Sequence, residues 1–160
     1  MSNRGIEIPL KYRMRESILN ENAPAIFFLH GYGSNMEDLF SLSQFFSDEW
    51  AIISFQASES IGFGGYAWAE LDFSNLRELP KPEQKVDSIN NIHNSISALS
   101  SKFNFDKNQI YILGFSQGSD LALSTGFKFP NFYKGIILSL IHISEPTRRR
   151  GISYGGLGVK

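Results

Sequence analysis

The hydrophobic positions of this chain form short continuous runs, separated by longer segments with helical spacing. Three runs are too short for a helix and rich in isoleucine and phenylalanine, which is typical of strands buried on both faces. They are AIFFLH (25–30), AIISF (51–55) and IYILGF (110–115). A fourth run, GIILSLIHI, begins at Gly135. Residues 6–12 instead alternate apolar and mostly polar positions and predict a half-buried strand, which Pro9 restricts to a sheet edge.

Helical spacing is present in three segments of the chain. The first follows the capping pair Ser34 and Asn35, and its apolar positions are Leu39, Leu42, Phe45 and Phe46. The second has Pro82 in its first turn, and its apolar face is Val86, Ile89, Ile92, Ile96, Leu99 and Phe103. The third continues from a serine turn and ends before Pro130, with apolar positions at Leu121, Ala122 and Phe127.

Buried strands that alternate with helices imply βαβ units, in which parallel strands are joined by crossover helices. We therefore predict an α/β fold, a mostly parallel sheet with helices on both faces. The glycine-rich segment 58–73, SESIGFGGYAWAELDF, is expected to be its long irregular loop.

Composition narrows the class of protein. The 160 residues, 42% hydrophobic and 19% charged, are typical of one soluble domain, and the net charge of −1 gives no reason to expect nucleic acid as a partner. The absence of cysteine excludes disulfides, thiolate metal sites and cysteine nucleophiles. No apolar run approaches the roughly 20 residues needed to span a bilayer. The N-terminal segment has no apolar signal region, so we expect a cytoplasmic protein without stable membrane insertion.

The sequence Gly114-Phe115-Ser116-Gln117-Gly118 fits the G-x-S-x-G nucleophile elbow in its required context, between a buried strand and a helix. The sharp turn exposes the Ser116 hydroxyl above the carboxyl end of the sheet, where open α/β sheets bind ligands. Side chains at positions 114 and 118 would collide with the neighbouring strand and helix. The alternative is that this serine merely caps the helix.

A second turn, His30-Gly31-Tyr32-Gly33-Ser34, follows the first buried strand, where the other half of an oxyanion hole is expected. The backbone N–H groups of Tyr32 and Gln117 could both point at the oxyanion of a tetrahedral intermediate. The alternative is a glycine-rich turn that only leads into a helix.

Three segments, LHGYGSNMEDLF, GFGGYAWAELDF and LGFSQGSDLAL, together resemble the bacterial phospholipase/carboxylesterase family, relatives of acyl-protein thioesterases within the α/β-hydrolase fold. The resemblance extends from about Ile6 to about Ile137. It implies hydrolysis of carboxylic esters or acyl thioesters without metal or cofactor. It also implies roles for four residues: Ser116 as the nucleophile, Tyr32 and Gln117 as oxyanion donors, and Trp68 as an aromatic lining the substrate groove. A tryptophan that packs the loop onto the core is the alternative for Trp68.

The acid and base that should activate the serine are not evident in the sequence. In this fold the triad runs in the order Ser, Asp or Glu, His. After Ser116 the candidates are Asp120, on the elbow's own helix, and His142 and Glu145, which come in reversed order and three residues apart. The earlier histidines, His30 and His93, are expected to be structural or solvent-facing. We therefore expect the chain to lack the triad Asp and His.

The C-terminal end has a different character. From about Leu138, LSLIHISEPTR resembles the conceptual translation of a transposon-based sequencing adapter. We expect residues 1–137 to be the N-terminal part of a single domain, truncated at its C-terminus, and residues 138–160 to be a non-native tail. A natural strand followed by a disordered tail is the alternative.

Three functional hypotheses follow. The first is a serine esterase or thioesterase acting on small ester or acyl substrates, with little turnover in the 160-residue chain. The second is a non-catalytic relative that binds an acyl ligand or a protein partner through the loop containing Phe63 and Trp68. The third is a chain without a stable fold, because the fourth strand would have an unpaired apolar edge. The sequence does not reveal the length of the acyl chain, the head group of the substrate or the oligomeric state of the protein.

Overall fold

A computed structural model describes residues 5–71 and 82–139 of the chain. The strands are β1 Tyr12–Arg15, β2 Ala25–Leu29, β3 Ala51–Phe55, β4 Glu59–Gly62, β5 Gly65–Ala67, β6 Ile110–Phe115 and β7 Gly135–Ser139. The helices are α1 Met36–Phe40, α2 Pro82–Lys102 and α3 Gln117–Lys128, with a 3-10 helix, Ser41–Phe45, directly after α1.

The main sheet has the strand order β1-β3-β2-β6-β7. Its last four strands are parallel, and β1 is an antiparallel strand at the edge. Every residue of β2 and β3 is buried, which explains their continuous apolar runs. The predicted α/β fold with a mostly parallel sheet is confirmed, as are the three predicted strands. Strands β2 and β3 are buried throughout, whereas β6 alternates buried and half-buried residues.

Both faces of the sheet are covered by helices, as predicted. On one face α2 and α3 contribute Ile92, Ile96, Leu99 and Leu121 to a core that also contains Phe27. On the other face a smaller cluster joins Leu39 of α1 to side chains of β2 and β3, namely Ile26, Phe28 and Ile52. Side chains of the central strands thus alternate between two cores.

The predicted N-terminal strand was misplaced. It lies at Tyr12–Arg15 rather than at residues 6–12, although at a sheet edge as expected. The backbone of the earlier residues has other partners: the Leu10 N–H donates to the Ser95 hydroxyl of α2 at 3.1 Å. Leu10 is buried in the core while Ile6 is 55% exposed, so the apolar alternation there does not mark a strand of the sheet.

Three residues predicted on apolar helix faces are exposed. Phe45 is 77% exposed because α1 ends at Phe40 and the chain continues as a 3-10 helix, whose tighter turn rotates the side chains. Phe127 is 76% exposed, since about 100° per residue places it roughly 120–140° around α3 from the buried Leu121 and Ala122. Val86 is 47% exposed and lies before the buried part of α2, which starts at Ser88.

The predicted cap of α1 is confirmed: the Asn35 side chain accepts a hydrogen bond from the Glu37 N–H at 2.9 Å.

The segment predicted to be an irregular loop contains a hairpin. Strands β4 and β5 pair antiparallel, and Phe63 at the tip has φ +52° between two glycines with positive φ. Tyr66 joins the hairpin to the turn after β2, because its carbonyl accepts from the Gly33 N–H and its own N–H donates to the Ser34 carbonyl, at 2.9 and 2.8 Å. The high glycine content concealed this pairing from a pattern based on apolar alternation.

The predicted boundary at residue 137 stays a prediction. Leu138 and Ser139 complete β7 and are paired with Gly114 and Phe115 of β6. Residues 140–160 lie outside the described part of the chain. Within the described ranges no helix has the length and apolarity that crossing a bilayer requires.

Arg15 attaches the edge strand to the segment that follows α1. Its guanidinium donates to four backbone carbonyls, of Ser43, Phe46, Ser47 and Trp50, at 2.5–3.2 Å. The planar guanidinium carries several donors in a fixed arrangement and can satisfy all four, which an ammonium cannot do. Arg13, on the same strand, pairs with Glu37 instead, and both of these side chains are about half exposed.

We expect Arg15→Lys to lower the free energy of unfolding by about 2 kcal/mol, because hydrogen bonds from a charged donor to partly buried carbonyls are lost. Urea denaturation of the 160-residue chain measures this change. Arg13→Lys is the matched control and should change the free energy by less than about 1 kcal/mol, since its ion pair is solvent-exposed. Equal effects of the two substitutions would contradict the assigned role of Arg15.

A second prediction concerns the packing of α3 on the sheet. An ideal Cβ at Gly118 would lie 2.1 Å from the Leu29 carbonyl oxygen of β2. Gly118→Ala should therefore lower the free energy of unfolding by about 3 kcal/mol or more, because backbone must move. Urea denaturation or thermal melting measures the loss.

The matched control for Gly118 is Gly126, also in α3, where a Cβ would meet only the Ile136 side chain at 3.0 Å. Gly126→Ala should change the free energy of unfolding by no more than about 1 kcal/mol, because gained helix propensity offsets the tighter contact. A Gly118→Ala chain as stable as the parent would show that α3 does not approach β2 this closely.

Candidate active site

Two turns meet at the carboxyl end of the sheet. Strands β2 and β6 are parallel neighbours in which Leu29 is paired with Gly114, so the residues that follow them lie side by side. An ideal Cβ at Gly31, in the first turn, would lie 3.3 Å from the Cβ of Ser116 in the second. The predicted nucleophile turn and the predicted oxyanion turn are therefore in contact.

The backbone of Ser116 has the strained conformation of a nucleophile elbow. Its φ is +53° and its ψ −117°, a region that non-glycine residues rarely adopt. A Cβ at Gly114 would lie 2.2 Å from the Gly118 carbonyl oxygen, and a Cβ at Gly118 would collide with Leu29 of β2. The predicted need for glycine at both positions is confirmed, because strand, turn and helix approach one another at backbone distance.

The Ser116 side chain does not cap α3, contrary to the alternative considered for this motif. Its N–H donates to the Ser139 carbonyl at 3.0 Å, and its carbonyl accepts from the Ser119 N–H at 2.9 Å. The residue is half-buried and lines a cavity of about 290 Å³, whose other lining residues are Tyr32, Ala69, Leu71, Lys85, Gln117, Asp120 and Leu121. Ser116 thus lines a cavity, and its side chain is not used for a cap.

Tyr32 and Gln117, the two predicted oxyanion donors, line the same cavity as Ser116. Gln117 is the first residue of α3, where helix N–H groups have no partner within the helix and carry partial positive charge. Both residues are half-buried. The structure brings the three predicted residues together, and donation to an oxyanion stays a prediction.

The side chain of Gln117 makes a paired contact that the sequence did not reveal. Its Oε1 accepts from the Trp68 N–H at 2.9 Å, and its Nε2 donates to the Ala69 carbonyl at 2.8 Å. We call residues 68–71 the wall segment, because Ala69 and Leu71 line the cavity. In the sequence, the motif assigned a role only to the backbone of Gln117, and no local pattern connects it to a loop 48 residues earlier.

Trp68 lies within the core and not in the cavity lining. It is 1% exposed, its indole N–H donates to the His30 carbonyl at 2.8 Å, and its own carbonyl accepts from the Ser88 hydroxyl at 2.5 Å. These contacts correspond to the alternative in which the tryptophan packs the loop onto the core. Direct contact between Trp68 and a substrate stays a prediction.

His30 has a structural environment. Its Nδ1 lies 2.7 Å from the Gly31 carbonyl, which can only accept, so Nδ1 carries the proton and Nε2 accepts from the Ala57 N–H at 3.1 Å. Burial lowers the pKa of His30 below its usual value, which keeps the ring neutral. Both ring nitrogens are occupied by backbone groups, so this histidine holds loops together.

His93 is also engaged away from the serine. Its ring is stacked on Phe129 with 3.5 Å between ring centroids, and its Nδ1 lies 2.6 Å from the Tyr133 hydroxyl. Burial, and then the nearby charge of Lys128, lower the pKa of His93. Within residues 5–71 and 82–139, neither histidine is positioned by its partners as a base for Ser116.

The acidic candidates are likewise not arranged as a triad. Asp120 pairs with Lys85 of α2 at 2.8 Å, and the two charges lie together at the edge of the cavity. His142 and Glu145 lie outside the described residues. In the described part of the chain, no group of three or more His, Asp or Glu could hold a metal ion.

Comparison with solved structures identifies esterases of the same fold. Esterase PE8 is 26% identical with a TM-score of 0.71, and the match covers 79% of this chain and 61% of that one. A carboxylesterase from Bacillus cereus is 22% identical with a TM-score of 0.68, and the match covers 90% of this chain and 64% of that one. A carboxylesterase from Mesorhizobium loti is 16% identical with a TM-score of 0.69, and the match covers 86% of this chain and 66% of that one. The chain thus spans 61–66% of the length of these structures. Comparison with curated proteins gave no match.

One family model matches most of the chain, over residues 15–144, and it describes the Phospholipase/Carboxylesterase family. The matched range contains both turns of the site, the wall segment and all strands of the main sheet except the first residues of β1. The chain belongs to the Phospholipase/Carboxylesterase family.

Proposed function

We propose that the protein is a carboxylic ester hydrolase in which Ser116 is the nucleophile and small esters or acyl thioesters are the substrates. One observation carries the proposal: Ser116 has a φ of +53° and lines a cavity beside Tyr32 and Gln117. A strained turn that is not needed for capping is well explained by a chemical role.

The reaction proceeds in two steps through an acyl-serine intermediate. The Ser116 Oγ forms a bond to the acyl carbon, and the bond from that carbon to the leaving oxygen or sulfur breaks. The hydroxyl proton passes through a general base to the leaving group. In the second step water attacks the acyl carbon, which releases the carboxylic acid and restores the serine.

The negative charge that develops on the carbonyl oxygen is stabilised by the N–H groups of Tyr32 and Gln117. Both residues lie beside the nucleophile, and the start of α3 adds the partial positive charge of a helix N-terminus. In other enzymes, loss of one such donor costs about 2.7–4 kcal/mol of transition-state stabilisation. These donors account for acyl transfer without a metal ion.

The cavity lining suits an uncharged acyl group. Ala69, Leu71 and Leu121 provide apolar surface next to Ser116. The charged residues of the lining, Lys85 and Asp120, are paired with each other, so their charges largely cancel. An acyl chain can contact the apolar part without displacing an isolated charge.

We further propose that the general base and the acid that orients it lie outside residues 5–71 and 82–139. His30 and His93 have other partners, and Asp120 is paired with Lys85. The continuation of the reading frame in genomic DNA, downstream of codon 137, is expected to supply Asp and then His. The 160-residue chain is accordingly expected to have little turnover.

Labelling with a fluorophosphonate tests the nucleophile. The chain extended through the genomic reading frame should be labelled, and Ser116→Ala should lower both labelling and ester cleavage by at least about 10³-fold, because the attacking oxygen is removed. Ser124→Ala is the matched control, since Ser124 is half-buried on the same helix but does not line the cavity. This control should be labelled like the parent.

Other outcomes separate the parts of the proposal. Strong, Ser116-dependent labelling of the 160-residue chain would contradict the location of the base and leave the nucleophile assigned. Acyl-ligand binding that survives Ser116→Ala, in an extended chain that cleaves no ester, would contradict the hydrolase and favour a non-catalytic acyl-binding protein.

A further inference from the structure

We infer that Gln117 is, through its side chain, a positioning residue, which holds the wall segment, the nucleophile turn and the oxyanion turn in a fixed relation to Ser116. The inference rests on the proposed function, in which only the backbone N–H of Gln117 has a role. It is carried by the two hydrogen bonds of the side-chain amide to the wall segment, at 2.9 and 2.8 Å.

The contact requires a primary amide of this length. Oε1 accepts from the Trp68 N–H while Nε2 donates to the Ala69 carbonyl, so acceptor and donor are used at the same time. A carboxylate offers acceptors alone, and a thioether or alkyl group offers neither function at useful strength. Asparagine is one methylene shorter. Glutamine is therefore the side chain that can pair with the backbone of this segment from the start of α3.

The wall segment is also connected to the first turn. The Trp68 indole N–H donates to the His30 carbonyl at 2.8 Å, and His30 itself holds Gly31 and Ala57 through its ring nitrogens. Hydrogen bonds thus run from the turn before Tyr32, through Trp68, to the side chain of Gln117. These bonds cross-link the two turns from which the oxyanion donors come.

Burial makes the cross-link effective. Trp68 is 1% exposed and His30 is fully buried, so water cannot easily replace the bonds between them. Ala69, directly beside Trp68, is 2% exposed and still contributes to the cavity lining. A shift of the wall segment would move the cavity surface and the amide donors together, and misplacement by about 1 Å can lower a rate by about 100-fold.

A side chain of α2 also bonds to the wall segment, at a position away from the nucleophile turn. The Glu70 N–H donates to the Gln84 Oε1 of α2 at 3.1 Å, at an exposed position. Gln84 neither follows the nucleophile nor lines the cavity. A Gln84 variant therefore shows the effect of losing any bond to the wall segment, and a Gln117 variant shows the effect of losing the bonds from the nucleophile turn.

Amide hydrogen exchange of the 160-residue chain tests the contact without requiring activity. Gln117→Met should raise the exchange rate of the Trp68 N–H by about fivefold, the effect of losing one hydrogen bond. Gln109→Met is the matched control, because Gln109 is exposed and, among the described residues, its side chain bonds to the Asp106 side chain. It should leave this exchange unchanged. Unchanged exchange in Gln117→Met would overturn the inference.

The kinetic test uses the chain extended through the genomic reading frame. Gln117→Met should lower kcat for ester cleavage by about tenfold or more, while KM changes by less than about threefold, because transition-state geometry is affected more than ground-state binding. Gln84→Met should lower kcat by less than about threefold. Equal kcat effects of the two substitutions would overturn the specific role of Gln117.

Gln117→Glu adds a test by rescue. Its ionised carboxylate cannot donate to the Ala69 carbonyl, but the protonated carboxyl can. In a Trp50→Phe background, acrylamide quenching of Trp68 should be increased at neutral pH and should return towards the parent value as the pH falls from about 6 to 4. For Gln117→Met in the same background, quenching relative to the parent at each pH should not fall between about pH 6 and 4. A return in both variants would overturn the donor role of Gln117.

The outcomes separate this inference from the proposed function. An extended parent chain that cleaves no ester contradicts the hydrolase, and the exchange and quenching results then decide the positioning role alone. An active parent whose Gln117→Met variant keeps its kcat contradicts the positioning role and leaves the hydrolase in place.

Discussion

The site depends on the close approach of α3 to the central strands, which only glycine permits. Gly118 lies so near β2 that an added Cβ would be 2.1 Å from the Leu29 carbonyl, and Gly114 is as close to Gly118 itself. Because the helix starts this near the sheet, the chain must turn within one residue between β6 and α3. That residue is Ser116, and its positive φ is the consequence.

The same approach brings together groups from distant parts of the chain. Once α3 begins at the end of β6, Gln117 and the turn after β2 lie at one edge of the sheet, next to Ser116. The wall segment is hydrogen-bonded to both turns, to the first through the Trp68 indole and to the second through the Gln117 side chain. Buried and partly buried hydrogen bonds rather than ion pairs fix this arrangement, since the one ion pair of the cavity lining, Lys85 with Asp120, is partly exposed and contributes little.

The sequence was most informative where burial is complete on both sides. Runs such as AIISF matched β3 because a strand covered on two faces has no polar alternation. It was least informative at β1, whose arginines bind backbone carbonyls and carboxylate through tertiary contacts that no local pattern contains. The elbow could be predicted because glycine stands at positions 114 and 118, where backbone segments approach too closely for a side chain.

Residues whose role comes from tertiary contacts were harder to assign. Trp68 resembles a groove residue in sequence, yet its indole is directed to the His30 carbonyl in the core. The Gln117 side chain bonds to the backbone of residues 48 and 49 positions earlier, and the spacing of residues along one helix cannot predict such a contact. Hydrogen bonds between distant loops depend on the final packing, and periodicity reports only which face of an element is buried.

The proposed function requires that the tetrahedral intermediate formed at the Ser116 oxygen place its oxyanion between the backbone N–H groups of Tyr32 and Gln117. A crystal structure of the extended chain after reaction with an alkyl phosphonate measures this directly, because the adduct imitates the tetrahedral intermediate. We expect a phosphonyl oxygen at about 2.7–3.1 Å from the N atoms of both Tyr32 and Gln117. An adduct on another residue, or a phosphonyl oxygen directed away from both amides, would contradict the account.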